Sequence, residues 1–180
     1  SSAASDVYKR QLLGIREYNS YEGECAIALE NAAARAIEKN AALPELYFPI
    51  REEEEILLAD RTEIIRKIFR ETREAKTWYK EEERAEALAL GFHEAVSCMV
   101  LEMCRRIRER FHEDKVALSG GVFANVILQE RCRSLLEEQG FRVYVNEQVP
   151  GNDGGIALGQ AWLAAERLMD EKDRGGQICV

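Results

Sequence analysis

The stretch that decides the fold is "KVALSGGVFANVILQERCRSLLEEQGFRVYVNEQVPGNDGGIALGQAW", from Lys115 to Trp162. It opens with a short apolar run that ends at Gly120-Gly121, and a helical pattern then continues to Gly140, a residue type common at helix carboxyl ends. "FRVYV" alternates like a strand, and another helical run completes the stretch. Strand, helix, strand and helix within about 55 residues predict an α/β unit with parallel strands flanked by helices, those around Leu135 and Leu163.

A glycine-rich turn follows each predicted strand. Ligands of α/β units bind beyond the carboxyl ends of the strands, so "SGGVFAN" and "VPGNDGG" are expected at the same edge. Gly120 and Gly121 lack Cβ atoms, and their N–H groups, with the start of the next helix, can point at an anion or a ribose. Asn125, about one turn into that helix, can donate to and accept from a ribose or base. The alternative is a tight turn with a capping Asn125.

Asp153 is the most informative residue of the second turn. Because Gly154 and Gly155 follow it, its carboxylate can face an open cleft and bind a cation through oxygen. The alternative is an N-cap, since Asp is a good capping residue. Capping does not explain the two glycines, which weaken a helix start. Gly155 and Gly159 are spaced to let the last helix pack closely on another element.

The upstream half of the chain is predicted to be mostly helical. A pair of short strands, "ELYFPI" and "EEILLA", is expected to interrupt it, with "REEE" as the turn between them. Asp60 or Thr62 can cap the second of three helices. The three helices are predicted over about residues 21–39, 62–73 and 82–110, and the second is expected to turn Ile64, Ile65, Ile68 and Phe69 toward the core.

Composition limits the class of protein. The net charge of −8 argues against binding nucleic acid through its phosphates, which needs a basic face. No apolar run approaches the roughly 18 residues of a membrane-spanning helix, and no secretory signal is present. The five cysteines show neither a disulfide framework nor Cys-x-x-Cys spacing, which favours a reducing, cytoplasmic setting. Residues 1–11 have no apolar periodicity and are interpreted as a sequence-assembly remnant, and residues 171–180 as a flexible tail that includes Cys179.

Four motifs in one order resemble the carboxyl-terminal part of HypF-type carbamoyltransferases, which act in maturation of nickel–iron hydrogenases. They are "LGIREYNSYEGECAIALE", "GFHEAV", "VALSGGVFAN" and "VPGNDGGIALGQA", and the resemblance covers residues 12 to about 168. Residues 12–170 are therefore interpreted as a partial Kae-like carbamoyltransferase lobe. The resemblance implies the second lobe of an actin, sugar-kinase and Hsp70-like fold, in which a nucleotide lies between two lobes.

The resemblance also implies a site and a reaction. ATP or carbamoyl-adenylate would lie against the following residues: Gly120, Gly121, Asn125, Asn152, Gly154 and Glu22. Asp153 would bind a divalent metal (Fe, Zn or Mg) at the phosphates. The family transfers a carbamoyl group from carbamoyl-adenylate to the carboxyl-terminal cysteine of HypE, which leads to the cyanide ligands of the hydrogenase iron. The partners implied are a HypE-type acceptor and the other domains of the same protein.

The sequence departs from the family pattern in its histidines. The His-x-x-x-His pair that supplies other metal ligands in family members is not found, and His93 and His112 lie 19 positions apart. His93 is expected to be packed or capping, and His112 to follow a helix end. Three interpretations remain: a catalytically incomplete carbamoyltransferase lobe, a related tRNA threonylcarbamoyl or O-carbamoyl transferase lobe, or a non-catalytic module that binds a nucleotide or a partner.

Overall fold

The computed structural model describes the backbone of residues 23–74 and 78–175, and the side chains of residues 23–72 and 82–169. Glu22, residues 1–11 and Cys179 therefore lie outside the described residues. Five α-helices and four strands occur in this part of the chain. The helices are α1 (Glu24–Glu38), α2 (Thr62–Glu74), α3 (Trp78–Phe111), α4 (Val126–Glu138) and α5 (Ile156–Gly175), and the strands are β1 (Ile50–Glu53), β2 (Ile56–Ala59), β3 (Lys115–Leu118) and β4 (Arg142–Val145).

The parallel strand pair predicted from the sequence is confirmed. β3 and β4 pair in parallel register, from Lys115 opposite Arg142 to Leu118 opposite Val145. Helix α4 covers this pair, because its buried face meets the strands and α3 in one apolar cluster. The buried members of that cluster are Leu118, Leu128, Cys132, Leu136 and Phe141. The chain thus forms the α/β unit that the strand–helix–strand pattern predicts.

The antiparallel pair lies later in the sequence than predicted. Residues 41–49, which include most of "ELYFPI", form no regular secondary structure, and β1 takes up Ile50–Glu53 instead. Pro49 has no N–H to donate to a sheet ladder, which explains why the strand starts after it. Glu54 and Glu55 form the turn, with φ of +48° and +70°. Of the predicted turn "REEE", only Glu54 is therefore in the turn, and the other three residues belong to β1.

Helix α2 uses a narrower apolar face than predicted. Ile64 and Ile68 are buried and pack against Leu88 and Ala95 of α3. Ile65 and Phe69, which were expected beside them, are 41% and 49% exposed, so that part of the prediction is wrong. The Asp60 carboxylate accepts a hydrogen bond from the Thr62 N–H at 2.8 Å, which makes Asp60 the residue that caps this helix.

Helix α3 is the central element of the fold. It contacts α1, α2 and α4, and its Ala89 packs against Ala32 and Ala33 of α1. The part of α3 from Glu82 to Phe111 is long and apolar enough, with a mean hydropathy of 1.4 over 18 residues, to meet a criterion for crossing a membrane. The sequence analysis considered only uninterrupted apolar runs and therefore did not predict that a helix would meet this criterion. Because α3 packs along its length and buries polar side chains, we describe it as a core helix.

Ion pairs join α3 to the two helices beside it. Glu86, only 2% exposed, accepts from Arg35 of α1 at 2.7 Å and from Lys39, the residue that follows α1, at 2.6 Å. Burial would raise the pKa of Glu86, but the hydrogen bonds from these two cations hold it below its ordinary value. Arg131 of α4 binds both carboxylate oxygens of Glu94, at 2.7 and 2.6 Å. The relative positions of α1, α3 and α4 are therefore fixed by polar as well as apolar contacts.

Helix α5 does not pack as predicted. The sequence places Leu163 on a helix that covers the parallel strands, but in the structure Leu163 is 57% exposed. Gly159 has no atom within 4 Å of where its Cβ would lie, so it makes no close helix contact. The exposed apolar side chains of α5 are Ile156, Leu158, Trp162, Leu163, Leu168 and Met169. The helix continues to Gly175, so the backbone of the expected tail is partly helical.

Candidate functional site

The two glycine turns meet at the edge where β3 and β4 end. A Cβ atom on Gly151 would lie 3.2 Å from the Gly120 amide nitrogen and 3.3 Å from the Ser119 hydroxyl, so the two turns are in contact. The prediction that they share one edge is confirmed. Gly120 adopts φ +100°, a conformation that favours glycine, and space beside Gly120 and Gly121 is open. Backbone at this edge is therefore accessible to a ligand.

The second turn owes its shape to glycine as well. A Cβ on Gly155 would lie 2.3 Å from the carbonyl oxygen of Pro150, a distance that no side chain tolerates. Gly155 is thus required for the close approach of Pro150 within the turn, and not for the helix packing that its spacing with Gly159 suggested. The turn ends in a short 3₁₀ helix, Asp153–Gly155, which leads directly into α5.

Asn125 caps helix α4 instead of lying one turn inside it. A 3₁₀ helix, Gly121–Ala124, precedes it, and the α-helix starts at Val126. The Asn125 Oδ1 accepts from the Leu128 N–H at 2.9 Å, and its Nδ2 lies 2.8 Å from the Nε2 of His93. The capping alternative is therefore observed. Both ends of the amide already have partners, which leaves Asn125 one N–H and one lone pair for a ligand.

His93 is packed, as the sequence predicts. It is 3% exposed, and its Nδ1 lies 2.7 Å from the carbonyl oxygen of Ala89, one turn earlier in α3. A carbonyl can only accept, so Nδ1 carries the proton and Nε2 accepts from Asn125. Burial lowers the pKa of His93, which keeps the imidazole neutral. This assignment makes His93 the residue that orients the Asn125 amide, with its nitrogen toward α3 and its oxygen toward α4.

Glu30 of α1 is a residue that sequence reasoning missed. Its Oε1 accepts from the Val126 N–H at 2.7 Å and lies 3.4 Å from the Ile127 nitrogen. No pattern could have found this contact, because the partners are 96 and 97 positions apart in the chain. The start of α4, which was expected to point its N–H groups at a ligand, is therefore occupied by a side chain of the protein.

The sequence left two roles open for Asp153, a helix cap and a ligand for a cation. In the structure Asn152 is the cap. The Asn152 Oδ1 accepts from the Gly154 N–H at 3.1 Å and is the cap of the 3₁₀ helix. Asp153 is exposed, and within the described part of the chain its carboxylate has no hydrogen-bond or ion-pair partner. The interpretation of Asp153 as a cap is therefore wrong. Its carboxylate is available for a ligand from solvent.

The described residues supply few ligands for the metal expected from the family resemblance. Among residues 23–72 and 82–169 there is no group of three His, Cys, Asp or Glu side chains that could hold a metal ion. Asp153 offers one oxygen ligand, and His93 is committed to Ala89 and Asn125. The described residues therefore offer Asp153 as one ligand and do not form a site of three such side chains.

Comparison with known proteins identifies the family. A family model described as "Carbamoyltransferase, Kae1-like Domain, second subdomain" matches residues 10–160. The chain belongs to this family. The HypF carbamoyltransferase of Rhodobacter capsulatus is 37% identical over 86 residues, which are 48% of this chain and 11% of that protein. Its counterpart in Synechocystis sp. is 30% identical over 151 residues, 83% of this chain and 17% of that protein.

A solved structure supports the same assignment for the fold. Full-length HypF in its phosphate- and nucleotide-bound form is 31% identical, with a TM-score of 0.73 over 89% of this chain and 19% of that one. The architecture is therefore that of an α/β Kae1-like lobe, as predicted. The chain spans less than a fifth of the length of these HypF proteins. What it shares with them is one subdomain.

Proposed function

We propose that this chain is the nucleotide-binding lobe of a carbamoyltransferase that acts on a HypE-type acceptor. The observation that carries the proposal is the meeting of two glycine turns at one strand edge, beside an exposed Asp153 without a partner, in a carbamoyltransferase family. A related structure is described as phosphate- and nucleotide-bound, which supports the nucleotide class. The donor would be carbamoyl-adenylate, formed with ATP by another domain of the complete protein.

The glycine turns would hold the nucleotide through backbone. Gly120, Gly121 and Gly154 carry no side chain that would keep a ribose or phosphate away. Asn152 and Asn125 would orient the ligand through the polar atoms that their caps leave unused. Glu22 is proposed at the same cleft from the family motif alone. When bound, carbamoyl-adenylate supplies the activated carbonyl, and the residues of this chain orient it and exclude water.

The reaction would move the carbamoyl group to sulfur. The acceptor's carboxyl-terminal cysteine thiolate attacks the carbamoyl carbon, a C–S bond forms, and the bond from that carbon to the adenylate oxygen breaks. AMP carries away the electron pair. The thiocarbamate so formed would lead to a cyanide ligand of a nickel–iron hydrogenase. A cytoplasmic setting is consistent with the four free cysteines among the described residues.

Asp153 provides the test of this function. Asp153→Asn, made in a full-length HypF-type protein that carries these residues, removes the charge and leaves size nearly unchanged. If Asp153 helps to hold a divalent cation at the bound phosphates, carbamoyl transfer should fall by at least about 100-fold, the usual cost of removing one electrostatic group from a reaction centre. Transfer is measured as the mass increase of a HypE-type acceptor, supplied with carbamoyl phosphate and ATP.

The matched control is Glu147→Gln, which removes an exposed carboxylate on the loop between β4 and the second glycine turn. It should transfer normally, and both variants should melt within a few degrees of the parent. Transfer by Asp153→Asn at the parent rate would show that Asp153 has no part in the reaction. The proposed function, which depends on Asp153, would then be contradicted.

A further inference from the structure

The amino-terminus of α4 is the most anion-attracting feature at the glycine edge, and it is already filled. The first N–H groups of a helix have no partner within the helix and carry partial positive charge. In α4 the Val126 and Ile127 groups face the Glu30 carboxylate, and the Leu128 group donates to Asn125. The next group, on Gln129, donates to the Asn125 carbonyl at 3.0 Å. Every N–H of the first turn therefore has an acceptor.

The negative charge at this helix end comes from another helix. The first turn of α4 contains no acidic residue, so the helix supplies no carboxylate of its own. Glu30 reaches it from α1, which contacts α4 where Ile127 packs against the cluster that contains Ala32 and Ala33. Val126 is 54% exposed, so solvent and small ions can reach this end of the helix. Without Glu30, it would present an accessible pair of N–H groups about one short 3₁₀ turn away from Gly120 and Gly121.

We infer that Glu30 determines where a phosphate can bind, by occupying the start of α4 as an internal anion. A nucleotide phosphate that approaches this edge then meets a carboxylate at the helix and open backbone at the glycine turns. Repulsion by Glu30 and the loss of free N–H groups direct the phosphate to the glycines. This inference rests on the proposed function for the identity of the ligand, and on the hydrogen bonds of Glu30 for its mechanism.

A purely structural role predicts different behaviour. If Glu30 only ties α1 to α4, removing it lowers stability and leaves the preferred place of an anion unchanged. If Glu30 acts as an internal anion, removing it strengthens phosphate binding at the start of α4. The second outcome is a gain of binding, which loss of structure cannot imitate.

Amide NMR spectra of the 180-residue chain separate the two roles, with inorganic phosphate and ADP as probes. In the parent, ADP should shift the amides of Gly120, Gly121 and Gly154 and leave Val126 and Ile127 nearly unchanged. In Glu30→Ala, inorganic phosphate should shift Val126 and Ile127, with an apparent affinity about two- to five-fold higher than in the parent. That factor is what one charge at a helix end accounts for.

Two further variants make the test decisive. Glu30→Gln keeps an acceptor oxygen and removes the charge, so its phosphate response at Val126 should lie between those of the parent and Glu30→Ala. This variant decides the question even if Glu30→Ala does not fold. Glu94→Gln is the matched control, because Glu94 also contacts α4, through Arg131, but far from its first turn. It should respond like the parent.

The outcomes that would overturn the inference are specific. One is an equal phosphate response at Val126 and Ile127 in the parent and in both Glu30 variants. Another is a strong shift of these two amides by ADP in the parent, which would mean that the ligand displaces Glu30. If ADP shifts no amide in the parent, the proposed function is contradicted, and the inference about Glu30 is still decided by the phosphate response of its variants.

Discussion

At the scale of single residues, the second glycine turn has two adjacent side chains that could each cap the 3₁₀ helix, and only one of them does. Asn152 and Asp153 are both good capping residues, and the sequence favours neither on propensity alone. In the structure Asn152 accepts the hydrogen bond from Gly154, and the adjacent carboxylate is left toward solvent. A carboxylate that makes no hydrogen bond or ion pair within the described residues is a better candidate for a ligand than a side chain already used as a cap.

Truncation of each side chain should separate these roles. Asn152→Ala removes the cap acceptor and should lower the free energy of unfolding by about 0.5–1 kcal/mol, the lower half of the usual range, because the turn is exposed. Asp153→Ala removes no intramolecular hydrogen bond and should change it by less than about 0.5 kcal/mol. Urea unfolding of the two variants and the parent measures both. A larger loss for Asp153→Ala than for Asn152→Ala would reverse the assignment of the cap.

At the scale of secondary-structure elements, His93 joins α3 to the start of α4. The imidazole is neutral because burial lowers its pKa below the ordinary value of 6.5. Protonation would turn its Nε2 from an acceptor into a donor and oppose the amide of Asn125. The cap of α4 would then compete with the histidine for the Asn125 oxygen. Stability of this helix end is therefore coupled to pH.

The sign of that coupling follows from proton binding. Below about pH 6.5 the unfolded chain protonates His93 while the folded chain does not, so the free energy of unfolding should decrease as pH falls through this range. One such group contributes a slope of at most about 1.4 kcal/mol per pH unit. Urea unfolding of the parent and of His93→Gln, between about pH 7.5 and pH 5.5, should show a smaller slope in the variant.

His112 supplies the control for this prediction. It is exposed and follows the carboxyl end of α3 with φ +56°, which Asn tolerates well. His112→Asn removes the other histidine of the chain and is the comparison for His93→Gln. If His93→Gln and His112→Asn have the same slope as the parent, the titration of His93 does not contribute to stability.

Elements with a clear periodicity were predictable from the sequence, and the reasons for the failures are local. The alternation of "FRVYV" and the glycines at its edges predicted β4 and its parallel partner, because these signals depend on near neighbours. Ile65 and Phe69 were misplaced because helical period shows which residues share a face and not how wide the buried stripe is. Leu163 was misplaced for a related reason, since an apolar helix face indicates burial without showing what covers it.

The candidate site was predictable only in outline. The glycines and Asp153 were found because unusual composition marks them, whereas the partners of Asn125 were not. Glu30 is one of 33 acidic residues, and nothing in its surroundings sets it apart until folding brings it to α4. Long-range hydrogen bonds of this kind have no signature in a single sequence. They decide which of the predicted polar groups remain free for a ligand.

At the scale of the whole molecule, the described residues form one Kae1-like lobe. The glycine turns present backbone for a ligand, and the exposed Asp153 carboxylate lies beside them. We therefore expect that the purified 180-residue chain does not transfer carbamoyl groups to a HypE-type tail. The measurement is the mass of the acceptor after incubation with carbamoyl-adenylate, generated by a separate enzyme.

The full-length parent under the same conditions is the positive control. Efficient turnover by the 180 residues alone would mean that they contain the whole reaction centre and that it does not lie at the glycine turns and Asp153 alone. Binding of a nucleotide without turnover would instead favour the interpretation of the isolated chain as a binding module.

The carboxyl end of helix α3 contacts the turn of one small sheet and the segment before the last strand of the other. Near its end, Arg110 donates to the Glu55 carbonyl at the antiparallel turn, and Arg108 donates to Gln139 and lies 4.0 Å above the Phe141 ring before β4. Neither sheet has enough strands to be stable alone. Fluctuations that expose one sheet must therefore loosen the helix that supports the other. Amide hydrogens in both sheets should exchange with solvent through the same rare opening, as parts of a single cooperative unit.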